Sequence, residues 1–382
     1  MSDDAALFDS LQAALSDGID AVLERLVESL RAARRPHDLF AALKMQVRQQ
    51  CGLPLVQPDE EQLEDATRDL LEAGLLDACR EVGASLIQSG RIREGWMYLR
   101  PVGDRAEALR LLNEVEADED NLDELIEICL HEAVDVERGF GLVLEYYGTC
   151  NSITTMDTVV AQLPAHHHAK AAALLLEHLH AELLSSVRSD VARQEGAEPA
   201  QQTLAELVAD RDWLFGEHSY HIDTTHLAST VRFATTLTDP RHLRLALDLT
   251  QYGKRLHKQF QYDGEEPFSN IYGDHSLFFQ AQLGENLDEA LEVFARKAEL
   301  DPMDHGTMPI EVYIDLLSRV GKPQEAIEVY RQRMPADVPH RGIAPSLYEL
   351  CEQAGDFAPL MEHCRAHDDL IGFTTGLLSQ PK

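Results

Sequence analysis

Apolar residues recur every three or four positions along most of the chain, and this spacing places them on one face of an α-helix. Near the start of the sequence one such stripe ends at a break before Pro36, and a second stripe follows and stops before Gly52. Proline suits the first turn of a helix, where its missing N–H is not needed. The pattern therefore predicts a pair of helices, with buried faces formed by Val22, Leu23, Leu26, Leu30, Leu39, Phe40, Leu43 and Val47.

A glycine-containing turn separates the next two stripes. The first of them precedes the turn at residues 88–90, and the second covers residues 91–99 with Gly95 inside it. Two helices can cross closely where one of them lacks a side chain. We expect a packed helical hairpin with Gly95 at the crossing.

The middle of the chain is less regular. Residues 167–194 carry a long helical stripe, whereas residues 139–157 show no clean period of either kind. No apolar pattern crosses residues 196–202, which include Pro199, so we expect an exposed connection there. The predicted organisation is helical hairpins over 1–195, a connection at 196–202, an irregular helical segment with a long loop over 203–277, and repeats over 278–382.

A turn glycine recurs at Gly284, Gly321 and Gly355, at intervals of 37 and 34 residues, which is the length of a two-helix repeat. The segments that follow the first two glycines, 286–294 and 323–330, align with each other. They resemble the tetratricopeptide-repeat family over about residues 278–334, with small residues at the helix crossing, an aromatic four residues later and an Asp-Pro pair closing one unit: Ala290, Ala326, Phe294, Tyr330, Asp301 and Pro302.

This resemblance implies an α-α superhelix, or solenoid, of stacked helical hairpins that binds proteins or peptides in a concave groove. Composition agrees with an all-α class, because aromatic residues make up only 6% of the chain and Ala, Leu, Glu and Arg are abundant. At 382 residues the chain exceeds the usual size of one core, which indicates either several domains or one elongated repeat structure.

The formal net charge of -34 argues against nucleic acid and anionic membranes as partners, because the protein repels phosphate groups. The sequence has no apolar run long enough to span a bilayer, and it begins with acidic residues where a signal peptide needs basic ones. Its six cysteines form no Cys-x-x-Cys pair, which fits neither a disulfide framework nor a zinc ribbon. These features indicate a cytoplasmic protein outside the membrane.

Histidines and carboxylates in the middle of the chain could hold a metal ion such as zinc, iron or manganese. His218, His221, Asp223 and His226 lie within one short segment, and His178 and Glu182 lie one helical turn apart. The alternative interpretation is that Asp223 or Thr224 caps a helix that starts near His226, and that His178 and Glu182 form an ordinary exposed pair.

Other chemistry finds little support in the sequence. Residues 131–135 look like the zinc metallopeptidase signature, but Asp135 stands where that motif needs its second histidine. No phosphate-binding glycine loop, dinucleotide fingerprint or Gly-x-Ser-x-Gly elbow occurs. We therefore assign no catalytic residue.

Two groups of aromatic and basic residues could line a partner-binding groove: Trp96 with Arg100, and Trp213 with Tyr220. The alternative is that these aromatic side chains are buried where helices cross. A loop over residues 261–275, longer than helix stacking requires, is a candidate functional insertion. The favoured function is a helical-repeat scaffold for a protein or peptide partner, and the alternative is a metal-dependent enzyme. The oligomeric state stays open.

Overall fold

The computed structural model describes residues 3–56, 63–335 and 338–380. Helices make up 73% of the structure, and the described residues contain no strand, only an isolated bridge between Asp263 and Asn270. The predicted all-α class is therefore confirmed. Within the described ranges, no helix combines the length and the apolar character that crossing a bilayer requires.

Contacts within the chain divide it into two compact units, Met1–Val143 and Leu144–Lys382. Helix α8 contains this boundary. The helices up to it are α1 (Asp3–Ala14), α2 (Ile19–Ala32), α3 (Pro36–Gln50), α4 (Asp65–Gln88), α5 (Ile92–Leu99), α6 (Arg105–Asn113), α7 (Leu122–Ile126) and α8 (Val136–Thr158).

Within its described residues, the second unit continues with twelve helices, most of which pack against the next one along the chain. They are α9 (Ala165–Glu195), α10 (Leu204–Val208), α11 (Thr224–Phe233), α12 (Pro240–Arg255), α13 (Ile271–Gln282), α14 (Leu287–Lys297), α15 (Pro302–His305), α16 (Met308–Arg319), α17 (Pro323–Arg333), α18 (Leu347–Ala354), α19 (Ala358–Ala366) and α20 (Leu370–Leu378).

In the first unit, α4 and α5 form the predicted hairpin and cross at two glycines. A Cβ on Gly95 would lie 2.5 Å from Ile87 Cγ1 and 2.8 Å from the Gly83 carbonyl oxygen. Both distances are too short for a Cβ atom, so any side chain at this position would clash. The prediction that Gly95 occupies the crossing is confirmed. Pro36 also stands in the first turn of α3, as expected.

The segment predicted as an exposed connection, 196–202, lies inside the second unit, and five of its seven residues are exposed. Pro199 is buried, and the carbonyl oxygens of Pro199 and Gln201 accept hydrogen bonds from the Arg188 guanidinium on α9. The boundary between the compact units falls at Val143 and Leu144, and the predicted division into four segments stays a prediction. The irregular stretch 139–157 is helical and belongs to α8, with Gly148 as its one non-helical residue.

Hairpins α13/α14 and α16/α17 turn at Gly284 and Gly321. Both glycines have φ of +77°, a left-handed conformation that strains any residue with a side chain. Ala290 and Ala326 are fully buried, as expected for the small residue at a helix crossing. The core of this region continues through α18 and α19, where Leu350, Cys351 and Cys364 are buried.

Candidate functional site

The second unit contains a cavity of about 330 Å³ beside α13 and α16. We call it the repeat cavity. Its wall combines residues from α9, from the 3₁₀ turn Ala234–Thr236, from the loop before α13, from α13 and α16, and from the segment before α18. The lining residues are Ala165, His168, Thr235, Thr236, Phe268, Phe278, Met308, Val312, Asp315, Arg319, Arg341, Gly342 and Ile343.

The apolar part of the wall centres on two phenylalanines. The Phe268 and Phe278 rings meet edge to face with centroids 5.6 Å apart, and Phe268 also stacks on the His275 imidazole at 4.0 Å. Burial lowers the pKa of His275 to about 4, so this imidazole packs as a neutral ring at physiological pH. The cavity therefore has an aromatic side that offers apolar contact.

The loop singled out by the sequence carries Phe268 into this wall. Lys297 on α14 fixes the loop, because its ammonium group lies 2.9 Å from Glu266, 2.7 Å from the Pro267 carbonyl and 3.1 Å from the Ser269 hydroxyl. The same ammonium group bonds Asp274 at 2.8 Å. The long loop thus contributes a side chain to the cavity and is held by a half-buried cation.

An ion pair forms the polar side of the cavity. Arg319 bonds both carboxylate oxygens of Asp315 at 2.9 Å, and Asp315 is only 6% exposed. Burial raises the pKa of Asp315, and the guanidinium opposes this shift. Arg319 also donates to the carbonyl oxygens of Thr235 and Leu237, at 2.8 and 3.1 Å. It therefore ties the 3₁₀ turn to α16 and has little donor capacity left for a ligand.

A buried carboxylate holds the segment that closes the cavity. Glu311 is 1% exposed and accepts hydrogen bonds from the Thr307 hydroxyl at 2.6 Å, the Arg341 backbone N–H at 2.7 Å and the Ile343 backbone N–H at 2.8 Å. Burial alone would raise the pKa of Glu311, but these hydrogen bonds prevail and hold it below its usual value. Glu311 thereby positions Gly342 and Ile343 against the cavity.

The central histidine segment is occupied by structural contacts. Asp223 caps α11, where its Oδ1 accepts from the backbone N–H of Thr225 at 2.8 Å and of His226 at 3.2 Å. His221 places Nε2 3.1 Å from Asp190 and Nδ1 2.9 Å from the Tyr252 hydroxyl. His218 is exposed and His226 is half-buried.

His178 and Glu182 form the alternative exposed pair, with 3.9 Å between His178 Nε2 and Glu182 Oε2. Across the ranges that the structure describes, no group of three or more His, Cys, Asp or Glu side chains is placed to hold a metal ion. The structure does not assemble the predicted ligand set, and two of its members are engaged elsewhere: Asp223 caps α11, and His221 contacts Asp190 and Tyr252. Binding of zinc, iron or manganese stays a prediction without a geometric site.

The two predicted partner-binding groups differ in their surroundings. In the first unit, Trp96 and Arg100 line a cavity of about 170 Å³, and Arg100 pairs with Glu132 at 3.3 Å. In the second unit, Trp213 and Tyr220 are 41% and 54% exposed, so the alternative of burial at a helix crossing does not apply to them. Their role in partner binding stays a prediction.

Sequence reasoning missed the residues that shape the repeat cavity, above all Glu311, Met308 and Ile343. One signal was present. Glu311 interrupts an apolar run, Pro309–Ile310–Glu311–Val312, in a mostly apolar segment, and a charge at such a position is rarely buried unless it is paired.

Comparison of the chain with protein-family models, with curated proteins and with solved structures gave no match. The class of the protein therefore follows from the fold alone. The described residues form an all-α protein in which neighbouring helices pack in sequence order.

Proposed function

We propose that this protein is a helical-repeat scaffold of the tetratricopeptide-like kind, and that its second unit binds a protein or peptide partner by enclosing one apolar side chain in the repeat cavity. The observation that carries the proposal is the cavity itself, which lies against α13 and α16. In the repeat interpretation these are the first helices of two successive hairpins, and first helices line the concave face of such arrays.

The volume of the repeat cavity suits one large side chain. Small-molecule and anchor pockets start at roughly 300 Å³, and an apolar cavity of about 150 Å³ already accommodates benzene. At about 330 Å³ the cavity has room for an aromatic or long aliphatic side chain together with neighbouring backbone. Its mostly apolar wall favours such a group over a charged one.

An anchored side chain would supply only part of the affinity. Full burial of a Leu, Met or Phe side chain contributes about 1.5–3 kcal/mol, which corresponds to a factor of roughly ten to a hundred and fifty in the dissociation constant. The cavity therefore acts as a hot spot inside a wider contact surface, as is usual for protein interfaces.

A cytoplasmic location is part of the same proposal. All six cysteines are free, and Cys79, Cys351 and Cys364 have pKa values raised by burial, which keeps them as thiols rather than reactive thiolates. Cysteines of this kind are typical of proteins from a reducing compartment.

Selection of random peptides displayed on phage tests the proposal. The wild-type chain is expected to enrich peptides that share one large apolar residue, and Met308→Glu to weaken their binding at least about tenfold, because it puts a carboxylate beside the apolar wall. Met303→Glu is the matched control, since Met303 is 80% exposed and does not line the cavity. Circular dichroism checks that both variants fold. Failure to enrich any peptide family, or equal binding by Met308→Glu, contradicts the proposal.

A photo-crosslinking amino acid at Ile343 locates the bound peptide. Ile343 lines the cavity and is 36% exposed, so its replacement leaves the core intact. Selected peptides should crosslink to the chain when the photo-reactive amino acid stands at position 343. They should not crosslink when it stands at position 15, because Leu15 is 63% exposed but belongs to the first unit. Labelling from position 15 alone would move the peptide site away from the repeat cavity.

A further inference from the structure

Helix α20 exposes an apolar face. Leu370, Ile371, Leu377 and Leu378 are 77%, 79%, 53% and 80% exposed, although they occupy nearly half of a nine-residue helix. They recur at helical spacing and so share one side of α20. An exposed apolar face of this kind invites association with another apolar surface.

The opposite face of α20 is anchored, so the exposed face is presented in a fixed orientation. A Cβ on Gly372 would lie 2.6 Å from Cys364 Sγ, and a Cβ on Gly376 would lie 3.2 Å from Leu360 Cδ2, which shows how closely α20 and α19 pack. Phe373 packs on the core, with the Arg365 guanidinium 5.1 Å from its ring centroid.

The polar atoms on the exposed face are already satisfied by the helix. The hydroxyls of Thr374 and Thr375 donate to the carbonyl oxygens of Leu370 at 2.8 Å and Ile371 at 2.9 Å. No charged residue occurs within α20. A partner can therefore cover this face without leaving a buried polar group unpaired.

We propose that α20 is a self-association surface, on which a second copy of this chain packs its own α20 in antiparallel orientation about a twofold axis. The absence of charged residues from α20 favours a second copy of this helix over a charged partner. A basic partner would gain nothing from a face without carboxylates, and an acidic one has no cation to meet there, whereas a second α20 is both apolar and free of charge.

Antiparallel packing suits the ends of the helix. Asp368 and Asp369 precede α20, and Asp369 caps it by accepting from the Gly372 N–H at 2.9 Å. In an antiparallel pair the acids of the two copies lie at opposite ends of the contact and do not face each other, and the two helix dipoles oppose each other favourably. The position of the acids beside the partner's negative C-terminal end offsets part of this gain.

The area is adequate for a specific contact. Eight large aliphatic side chains, four from each copy, leave water together with four threonine methyl groups, which is on the order of the 1,000 Å² that a biological interface needs. Repulsion between two chains of net charge -34 opposes the contact. Because salt screens this repulsion and leaves apolar contact intact, the dimer should strengthen as ionic strength rises.

Sedimentation velocity tests the proposal. It is measured at protein concentrations from about one to about a hundred micromolar, at low and at physiological ionic strength. The wild-type chain should dimerise, and more tightly at the higher ionic strength. Ile371→Gln with Leu378→Gln should weaken the dimer at least about tenfold. Val56→Gln with Met303→Gln is the matched control, since these two side chains are 82% and 80% exposed elsewhere. Monomer under all conditions, or equal behaviour of the two double variants, overturns the proposal.

Disulfide trapping tests the geometry. Thr374 lies at the middle of α20, where the twofold axis would pass, so Thr374→Cys in a Cys150→Ser background should form a covalent dimer when diamide removes two electrons and two protons from the paired thiols. Thr154→Cys, at an exposed threonine of α8, should not do so in the same background. Equal trapping at positions 154 and 374 would indicate random collision and count against the proposed interface.

Discussion

Glu311 shows how one buried side chain can shape a site without lining it. Its carboxylate accepts three hydrogen bonds within 2.8 Å, two of them from backbone N–H groups of the segment that closes the repeat cavity. Each hydrogen bond to a charged group contributes about 1.5–3 kcal/mol. The position of Ile343 therefore depends on the ionised state of a residue that a ligand would not touch.

Replacement of Glu311 by Gln should release this segment at neutral pH. A glutamine turns one acceptor into an NH₂ group that opposes the backbone donors, so the hydrogen-exchange protection of residues 341–343 is expected to fall by about ten- to a hundredfold. Hydrogen exchange read by mass spectrometry measures this effect. Glu292→Gln on the exposed side of α14 is the control and should change nothing there.

The pKa of Glu311 fixes the direction in which the hydrogen-exchange protection of residues 341–343 changes with pH. The pKa of Glu311 in the folded chain lies below its usual value, so its contribution is present above the unfolded pKa of about 4.3 and is lost as pH falls through the folded pKa. The difference between the wild-type chain and Glu311→Gln should therefore shrink on acidification. A difference that stays constant at all pH values would mean that the charge of Glu311 does not hold the segment.

At the scale of elements, close helix crossings limit which residues the chain accepts. Gly95 and Gly141 both lie within helices of the first unit, yet their surroundings differ. A Cβ on Gly95 would collide with Ile87 and with the backbone of Gly83, whereas a Cβ on Gly141 would meet nothing within 4 Å. The two glycines make a matched pair for measuring the cost of separating α4 from α5.

We expect Gly95→Ala to lower the free energy of unfolding of the first unit by about 1–3 kcal/mol, because the helices must move apart. Gly141→Ala should be neutral or stabilise by about 0.4–1 kcal/mol, because alanine restricts the unfolded chain at no steric cost. Urea titration followed by Trp96 fluorescence, in a Trp213→Phe background, reports on this unit alone. Equal effects of the two substitutions would contradict the close crossing.

At the scale of the whole molecule, the net charge of -34 is the dominant property. Many carboxylates are engaged locally, for example Glu94 with Arg91 at 2.5 Å, yet such exposed pairs contribute little and leave the overall repulsion in place. The chain remains folded against a repulsion that its own composition creates.

The thermal midpoint should therefore rise as sodium chloride is added from low to physiological concentration. Screening lengths fall from roughly 30 Å to about 8 Å over this range, which removes repulsion between carboxylates that are not paired. Differential scanning calorimetry measures the change, with sucrose of equal osmolality as the control. A midpoint that does not respond to salt would mean that counterions or local pairs already neutralise the charge.

The sequence by itself determined several helices and hairpins, but not the helix over residues 139–157. Apolar spacing, turn glycines and Pro36 are local features, and a helix depends on contacts over three and four residues, so α3, α9 and the α16/α17 hairpin could be read directly. Gly95 was also predicted correctly, since a small residue inside an apolar stripe has few explanations other than a close crossing.

Only the tertiary structure decided the site. Ala165, Thr235, Phe268, Met308 and Ile343 line one cavity although they are far apart in the sequence, and their meeting depends on how helices pack, which no local pattern encodes. The metal hypothesis relied on the reverse assumption, that neighbours in sequence are neighbours in space. His221 and Asp223 are two residues apart, but one bonds Asp190 and Tyr252 while the other caps α11, because an irregular segment directs successive side chains to different partners.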